Sequence, residues 1–150
     1  MNLDINDLPL IVFEGIDKVG KTTLHKEFDK YVKYRYLTCD RLFLTYIAYA
    51  QRYSRPIMVE SLNNWLYFNR DQIIIVYITA SNETLLKRYK KVNHENINID
   101  KDKKAFLSSI QYFRDRGIKV VNINTDNQTP LESIKEILDQ LDLKGHYNAN

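Results

Sequence analysis

One run constrains this chain more than any other: IVFEGIDKVGKTTL, positions 11–24. A continuous apolar stretch leads into Gly15, four residues separate it from Gly20, and Lys21 and Thr22 follow at the start of an amphipathic pattern. A short apolar run of this kind is the signature of a strand buried on both faces. Glycines let the backbone curl until several N–H groups converge, and the next helix adds its free N–H groups and the positive end of its dipole. Gly-x-x-x-x-Gly-Lys-Thr between a strand and a helix is therefore a phosphate cradle, built by residues 15–22. Lys21 reaches β- and γ-phosphates in such a loop, and the Thr22 hydroxyl ligates Mg²⁺.

The remaining chain alternates strand and helix. After a strand at 10–14, residues 21–34 place Leu24, Phe28, Tyr31 and Val32 on one helical stripe. A second strand is predicted at 34–40 and a helix at 41–53, with Leu42, Phe43, Tyr46, Ile47 and Ala50 on one side. The segment 57–69 has no clean period and is assigned to helix. IIIVYITA at 73–80 is the clearest strand, followed by a helix over 83–91. Residues 92–100 are polar and aperiodic and read as a loop. Helix returns over 101–116 and stops at Gly117. A fourth strand spans 118–124. Thr129, Pro130 and Glu132 then open a last helix whose stripe is Leu131, Ile134, Ile137, Leu138 and Leu141. The tail KGHYNAN, 144–150, is expected to fray. Strands separated by helices predict an α/β fold, a parallel sheet covered on both faces.

Composition narrows the function classes. At 150 residues, 44% apolar and 27% charged, the chain reads as one soluble globular domain, 1–150. Its apolar runs are too short to span a bilayer, so no membrane partner is expected. The first ten residues carry two acids and no basic stretch, so no secretory leader is expected. Cys39 is the single cysteine, which suits a reducing cytoplasm. A net charge of +3 fits an anionic ligand and is too small and dispersed for a protein that coats nucleic acid. His25, His94 and His146 fall on a helix, a loop and the tail, which gives no metal cluster. Cys39 lies in an apolar strand and is expected to pack there, not to act as a nucleophile.

The lettering of the loop adds to this. VFEGIDKVGKTT resembles the phosphate loop of thymidylate kinases, above all viral members. DRLFLTYIAYA at 40–50 is similar to that family's Asp-Arg block, with Asp40, Arg41, Thr45, Ala48 and Tyr49 at matching places. NETLLKRYKK at 82–91 looks like the helix before the family's lid, here placed at about 90–104. These blocks cover about half the chain. Two departures accompany them. The family has a further strand and helices before the Asp-Arg block, which build much of the acceptor-base pocket; here only residues 22–39 separate Lys21 from Asp40. The third strand ends on Thr79, where the family usually has Asp.

The resemblance implies a P-loop NTPase-like parallel sheet of about four strands with helices on both faces. It implies ATP and Mg²⁺, and phosphoryl transfer to a nucleoside monophosphate. In the implied site Gly15, Asp17, Lys18, Val19, Gly20, Lys21, Thr22, Thr23 and Arg88 bind nucleotide. Lys18, Lys21, Asp40 and Arg41 carry the transfer, and Thr22 and Asp40 serve the metal. Lys18 would reach the transferred group and so relieve the lid of arginines, and the stretch 92–100 has none. Asp40 would hold a water of the Mg²⁺ shell, Arg41 would clamp the acceptor phosphate, and Asp17 would meet the acceptor sugar. Glu14 orients the loop. Arg88 would pack on the donor base or reach its polyphosphate, and residues 124–127 would border the adenine. Trp65, Tyr67 and Phe68 read as core or as a replacement stacking surface for the acceptor base. A homodimer is implied too, since the family is typically dimeric, and a cytoplasm (a host's, for a viral protein) is the implied location.

Each residue also has a plainer reading. Lys18 alone is a solvated loop lysine, Asp40–Arg41 alone a surface ion pair, and KRYKK at 87–91 a solvated helix face. Two other functions stay open: a P-loop kinase for a deoxynucleoside or a polynucleotide 5′ end, and a nucleotide-binding module without transfer activity.

Overall fold

The computed structural model describes residues 9–91 and 98–141. Four apolar runs pair side by side as β1 (Leu10–Glu14), β2 (Leu37–Asp40), β3 (Ile73–Thr79) and β4 (Lys119–Asn124). All pairings are parallel and the order is β2-β1-β3-β4. The expected α/β class, with four parallel strands and helices on both faces, is what the chain adopts. Among the described residues six α-helices accompany them: α1 (Lys21–Tyr31), α2 (Phe43–Arg52), α3 (Val59–Asn69), α4 (Asn82–Lys90), α5 (Ile99–Asp115) and, after β4, α6 (Pro130–Leu141).

Strand alternation decides which helix each face receives. Phe13 of β1 meets Phe28 and His25 of α1, with ring centroids 5.4 and 5.0 Å apart. Tyr77 of β3 is one step out of phase with Phe13, since Phe13 pairs with Val76. It stacks on Phe106 of α5 at 6.3 Å, on the other face. α1 and α6 pack together on the first side and α2 and α5 on the second. The chain leaves β1 toward β2 but leaves β3 toward β4, so the carboxyl ends of β1 and β3 flank a topological switch point. Open α/β sheets bind ligands at such a point.

Several boundaries differ from expectation. α1 ends at Tyr31, not 34, because Lys33 and Tyr34 take left-handed φ values of 54° and 56°. The Tyr34 N–H closes the end by donating to Asp29 O at 2.8 Å. β2 is correspondingly shorter than 34–40. The inward face of α2 is Leu44, Ile47, Ala48 and Ala50, while Leu42 and Tyr46, both expected inside, are exposed. Leu131 of α6 is likewise exposed. α5 begins at Ile99 rather than 101, capped by Asn98, whose side chain accepts from Lys101 N at 3.0 Å. Gly117 ends it as expected: at φ +79° its N–H donates to Arg114 O, and Ile118 N–H to Phe113 O. The Thr129–Glu132 capping box is also present, Glu132 N to Thr129 Oγ1 at 3.2 Å and Thr129 N to Glu132 Oε2 at 2.7 Å. Residues 92–97, most of the expected loop with His94 and part of the expected lid, and the expected frayed tail, with His146, lie outside the described residues. No helix among the described residues is long and apolar enough to cross a membrane.

Candidate functional site

The loop between β1 and α1 sits at the switch point, and its glycines are there for space and sign of φ. A Cβ on Gly15 would stand 2.6 Å from the Ile78 carbonyl oxygen and 3.0 Å from Val19 Cγ2, so no side chain fits. Gly20 has φ +90° and precedes the first residue of α1. Lys18 adopts φ 66° without being glycine, a conformation that costs a non-glycine residue energy.

Three side chains hold this loop from behind. Tyr89 Oη donates to Asp17 O at 3.3 Å, Arg88 Nη1 to Lys18 O at 2.7 Å, and Thr125 Oγ1 to Val19 O at 2.8 Å. Burial pushes the Tyr89 hydroxyl up to about 12, which keeps it a donor. Each peptide unit is planar and trans, so its N–H points opposite to its C=O. The amides of Lys18, Val19 and Gly20 therefore face away from these donors. No backbone carbonyl accepts from any of the three among the described residues. Outward carbonyls and inward amides are what an anion nest needs.

Lys21 is buried, and its ammonium lies 2.9 Å from Asp40 Oδ1 as an ion pair. Thr22 Oγ1 donates to Asp40 Oδ2 at 2.8 Å. Burial alone would push the Asp40 carboxyl up. The contacts from Lys21 and Thr22 and the nearby His25 outweigh it and hold the carboxyl below its ordinary value. Oδ1 is buried with the ammonium off its hydrogen-bonding axis, and no aligned donor meets it among the described residues. Arg41 follows at φ 69°, its N–H bonded to Phe13 O at 2.9 Å and its guanidinium paired with Asp17.

Glu14 fixes that arrangement. It is wholly buried at the end of β1, and Oε1 accepts from Leu42 N at 2.8 Å and Leu44 N at 3.2 Å, while Oε2 accepts from the Thr45 hydroxyl. It thus caps α2, whose own N-cap residue Leu42 offers no acceptor side chain. Burial pushes the Glu14 carboxyl up, and these bonds offset only part of that.

Ile16, Asp17, Lys18, Gly20, Lys21, Thr22, Thr23 and Arg41 line one polar cleft of about 420 Å³. Seven of the eleven expected site residues thus line one cleft, and Asp40 bonds to two of them, Lys21 and Thr22. Gly15 and Val19 form the frame beneath it. Arg88 sits beside the loop on the Lys18 carbonyl. Of residues 124–127, Thr125 braces Val19 and Asp126 accepts from Ser81 N at 2.8 Å. Thr79 receives the Thr125 N–H on its carbonyl at 3.0 Å. The aromatic residues of α3 are not brought to this cleft. Trp65 packs on Phe43 at 4.9 Å, Tyr67 is 65% exposed and Phe68 81%. Cys39 is half-buried, and burial with the neighbouring Glu14 and Asp40 charges pushes its thiol up to about 11, unsuited to a nucleophile. Sequence reasoning missed the brace of Tyr89 and Thr125.

No group of three or more metal-ligating side chains occurs among the described residues. Mg²⁺ in phosphate sites needs less, keeping several waters and taking one or two protein oxygens beside the phosphates. The hydroxyl of Thr22 and the unaligned Oδ1 of Asp40 fit that demand.

No protein-family model matches this sequence, and no curated protein matches it. Solved structures do. The chain is similar to the YorR protein of Bacillus subtilis, solved in complex with phosphorylated GDP, at TM-score 0.75 and 19% identity over 93% of this chain and 99% of that one. It is also similar to thymidylate kinase from Candida albicans, at TM-score 0.56 and 16% identity over 94% of each chain. The chain shares its fold with these structures.

Proposed function

We propose that the protein transfers the γ-phosphoryl group of ATP to a nucleoside monophosphate, a pyrimidine deoxynucleotide first among candidates. The observation that carries this reading is that Lys18, Lys21 and Arg41 line one cleft together. Two polyanions repel, and a transfer between them needs fixed cations around the migrating group more than covalent chemistry.

In this reading the loop amides and Lys21 hold the donor phosphates, and Arg41 receives the acceptor phosphate. An acceptor oxygen forms a bond to the γ-phosphorus while the bond to the β–γ bridging oxygen breaks, releasing ADP and a nucleoside diphosphate. Lys18 follows the charge on the moving phosphoryl. Thr22 and Asp40 would hold Mg²⁺, which when bound neutralises phosphate charge. Asp17 leaves Arg41 when the acceptor arrives, becoming free to accept from a sugar hydroxyl.

The test is an acceptor panel with Mg-ATP: monophosphates, nucleosides and DNA 5′ ends. Diphosphate formation lost in Lys21→Ala supports the proposal. Turnover on nucleosides or DNA ends alone moves the acceptor. ATP binding with no transfer to any of them makes the protein a nucleotide-binding module. Lys18→Ala should lower kcat far more than ATP affinity, since its contact strengthens as charge develops; equal losses would reduce it to a donor-binding residue.

A further inference from the structure

A second cleft, of about 440 Å³, lies at the other end of the sheet. Its wall on one side is α3 with Asn63, Asn64 and Tyr67, continued by Arg70 in the 3₁₀ turn before β3. The other wall is the end of α5 with Asp115 and Arg116, immediately before β4. The cleft therefore stands at the amino ends of β3 and β4, whereas the phosphate loop stands at the carboxyl end of β1. The seven residues of β3, at about 3.3 Å each, put about 20 Å between the two ends.

The two arginines are held but not neutralised. Arg116 lies 3.4 Å over the Tyr112 ring and donates to Asn63 Oδ1 and Tyr112 O. Arg70 lies 4.6 Å from the Tyr67 ring centroid and donates to Tyr67 O. Its stem runs past Gly117, where an added Cβ would be 3.7 Å from Arg70 Cδ, so it passes beside the chain that carries Arg116. A guanidinium has five N–H donors; one is used on Arg70 and two on Arg116. No carboxylate pairs with either among the described residues, whereas Arg41 and Arg52 each have an aspartate. The acid in the cleft, Asp115, takes its hydrogen bond from Gln111 at 2.7 Å.

We propose that this cleft is a second ligand site, one that takes a nucleoside phosphate. Two pre-oriented guanidiniums match a phosphate group. The exposed Tyr67 ring offers a stacking face for a base, and Asn63 and Asn64 offer amides to its edge. The volume is that of a small-molecule pocket. With the ends of the sheet this far apart, both sites fill together, so the remote one suits an effector rather than a reactant.

The experiment is equilibrium dialysis of the full chain with ADP, with Trp65 emission followed in parallel. Trp65 is the single tryptophan and stands two residues from Tyr67. The expected result is two ADP per chain: Lys21→Ala removes one, and Arg70→Ala weakens the other tenfold or more while leaving loop binding intact. The Trp65 response should persist in Lys21→Ala and fade in Arg70→Ala. Tyr67→Ala should weaken ADP but not inorganic pyrophosphate at this site. One ADP per chain, lost in Lys21→Ala, overturns the proposal, as does a second ADP indifferent to Arg70→Ala. Equal loss of ADP and pyrophosphate in Tyr67→Ala overturns the base contact. Arg70→Glu, at a half-buried position whose one hydrogen bond goes to the Tyr67 carbonyl, provides a second variant should Arg70→Ala fail to fold. One ADP that survives Lys21→Ala and falls with Arg70→Ala would support this site while refuting the reading of the loop.

Discussion

Arg88 donates to the carbonyl of Lys18 across a separation of 70 residues, and so ties α4 to the back of the phosphate loop. With Tyr89 on Asp17 and Thr125 on Val19, it fixes three successive carbonyls outward and leaves the amides between them for a ligand. Donor phosphates thus meet a nest that is already shaped, which lowers the ordering cost of binding.

Arg88→Ala should weaken ADP binding about fivefold to tenfold, the worth of one partly exposed charge-assisted hydrogen bond. Titration calorimetry is the measurement. Arg88→Lys should recover part of the loss, and Thr125→Val should act in the same direction without touching any ligand. An Arg88 that instead stacks on the donor base would distinguish ATP from pyrophosphate, and its loss would spare pyrophosphate.

Gly15→Ala should be severe. The new methyl would lie 2.6 Å from the Ile78 carbonyl oxygen, part of the neighbouring strand's backbone and unable to yield. We expect a loss of about 2–4 kcal/mol in chemical denaturation, typical of overpacking at a rigid site. Gly20→Ala would place its Cβ in ordinary contact with Arg88 Nη1, at 3.8 Å, but keeps φ +90°, so it should cost less, about 1 kcal/mol.

The loop and its partner block were legible in the sequence because their chemistry is contiguous. Gly15 to Thr22 spells its own geometry, and Asp40–Arg41 ends a recognisable strand. What holds them was not legible. Glu14 reaches residues 42–45, and Arg88, Tyr89 and Thr125 reach the loop from far along the chain; no local period encodes such contacts. The inward face of α2 was misjudged for the same reason. Hydrophobicity alone puts Leu42 inside, but the Glu14 cap fixes Leu42 at the helix entrance and turns Leu44, Ile47 and Ala48 inward. One signal was present: a carboxylate that ends a buried strand must find donors nearby.

Asp17 and Arg41 compete with any anion that Arg41 is to bind. Asp17→Ala should therefore tighten inorganic phosphate binding about twofold to fivefold, the range expected for releasing a partly exposed ion pair. The same variant should raise KM for a monophosphate whose sugar hydroxyl it would otherwise contact. Opposite shifts for phosphate and nucleotide separate the two roles; parallel shifts would leave Asp17 with only one of them.

Glu14 gives a prediction in pH. Its carboxyl is raised above the ordinary 4.5 by burial, so the folded protein holds its proton more tightly than the unfolded chain does. The linked stability is complete below 4.5 and is lost as pH rises through the folded value, because above it a charge must be kept in the interior. Glu14→Gln carries no such charge yet still offers one oxygen to the Leu42 and Leu44 amides. The difference in unfolding free energy between Glu14→Gln and the parent should therefore shift in favour of Glu14→Gln as pH rises from 4 to 7. Glu14→Ala removes the acceptor as well and should cost on the order of 2–3 kcal/mol at pH 4, since two amides and the Thr45 hydroxyl lose their partner, and less as pH rises and the parent itself loses the linked stability. A parent and Glu14→Gln that track each other across the titration would mean that Glu14 keeps an ordinary carboxyl and that its bonds fully offset burial.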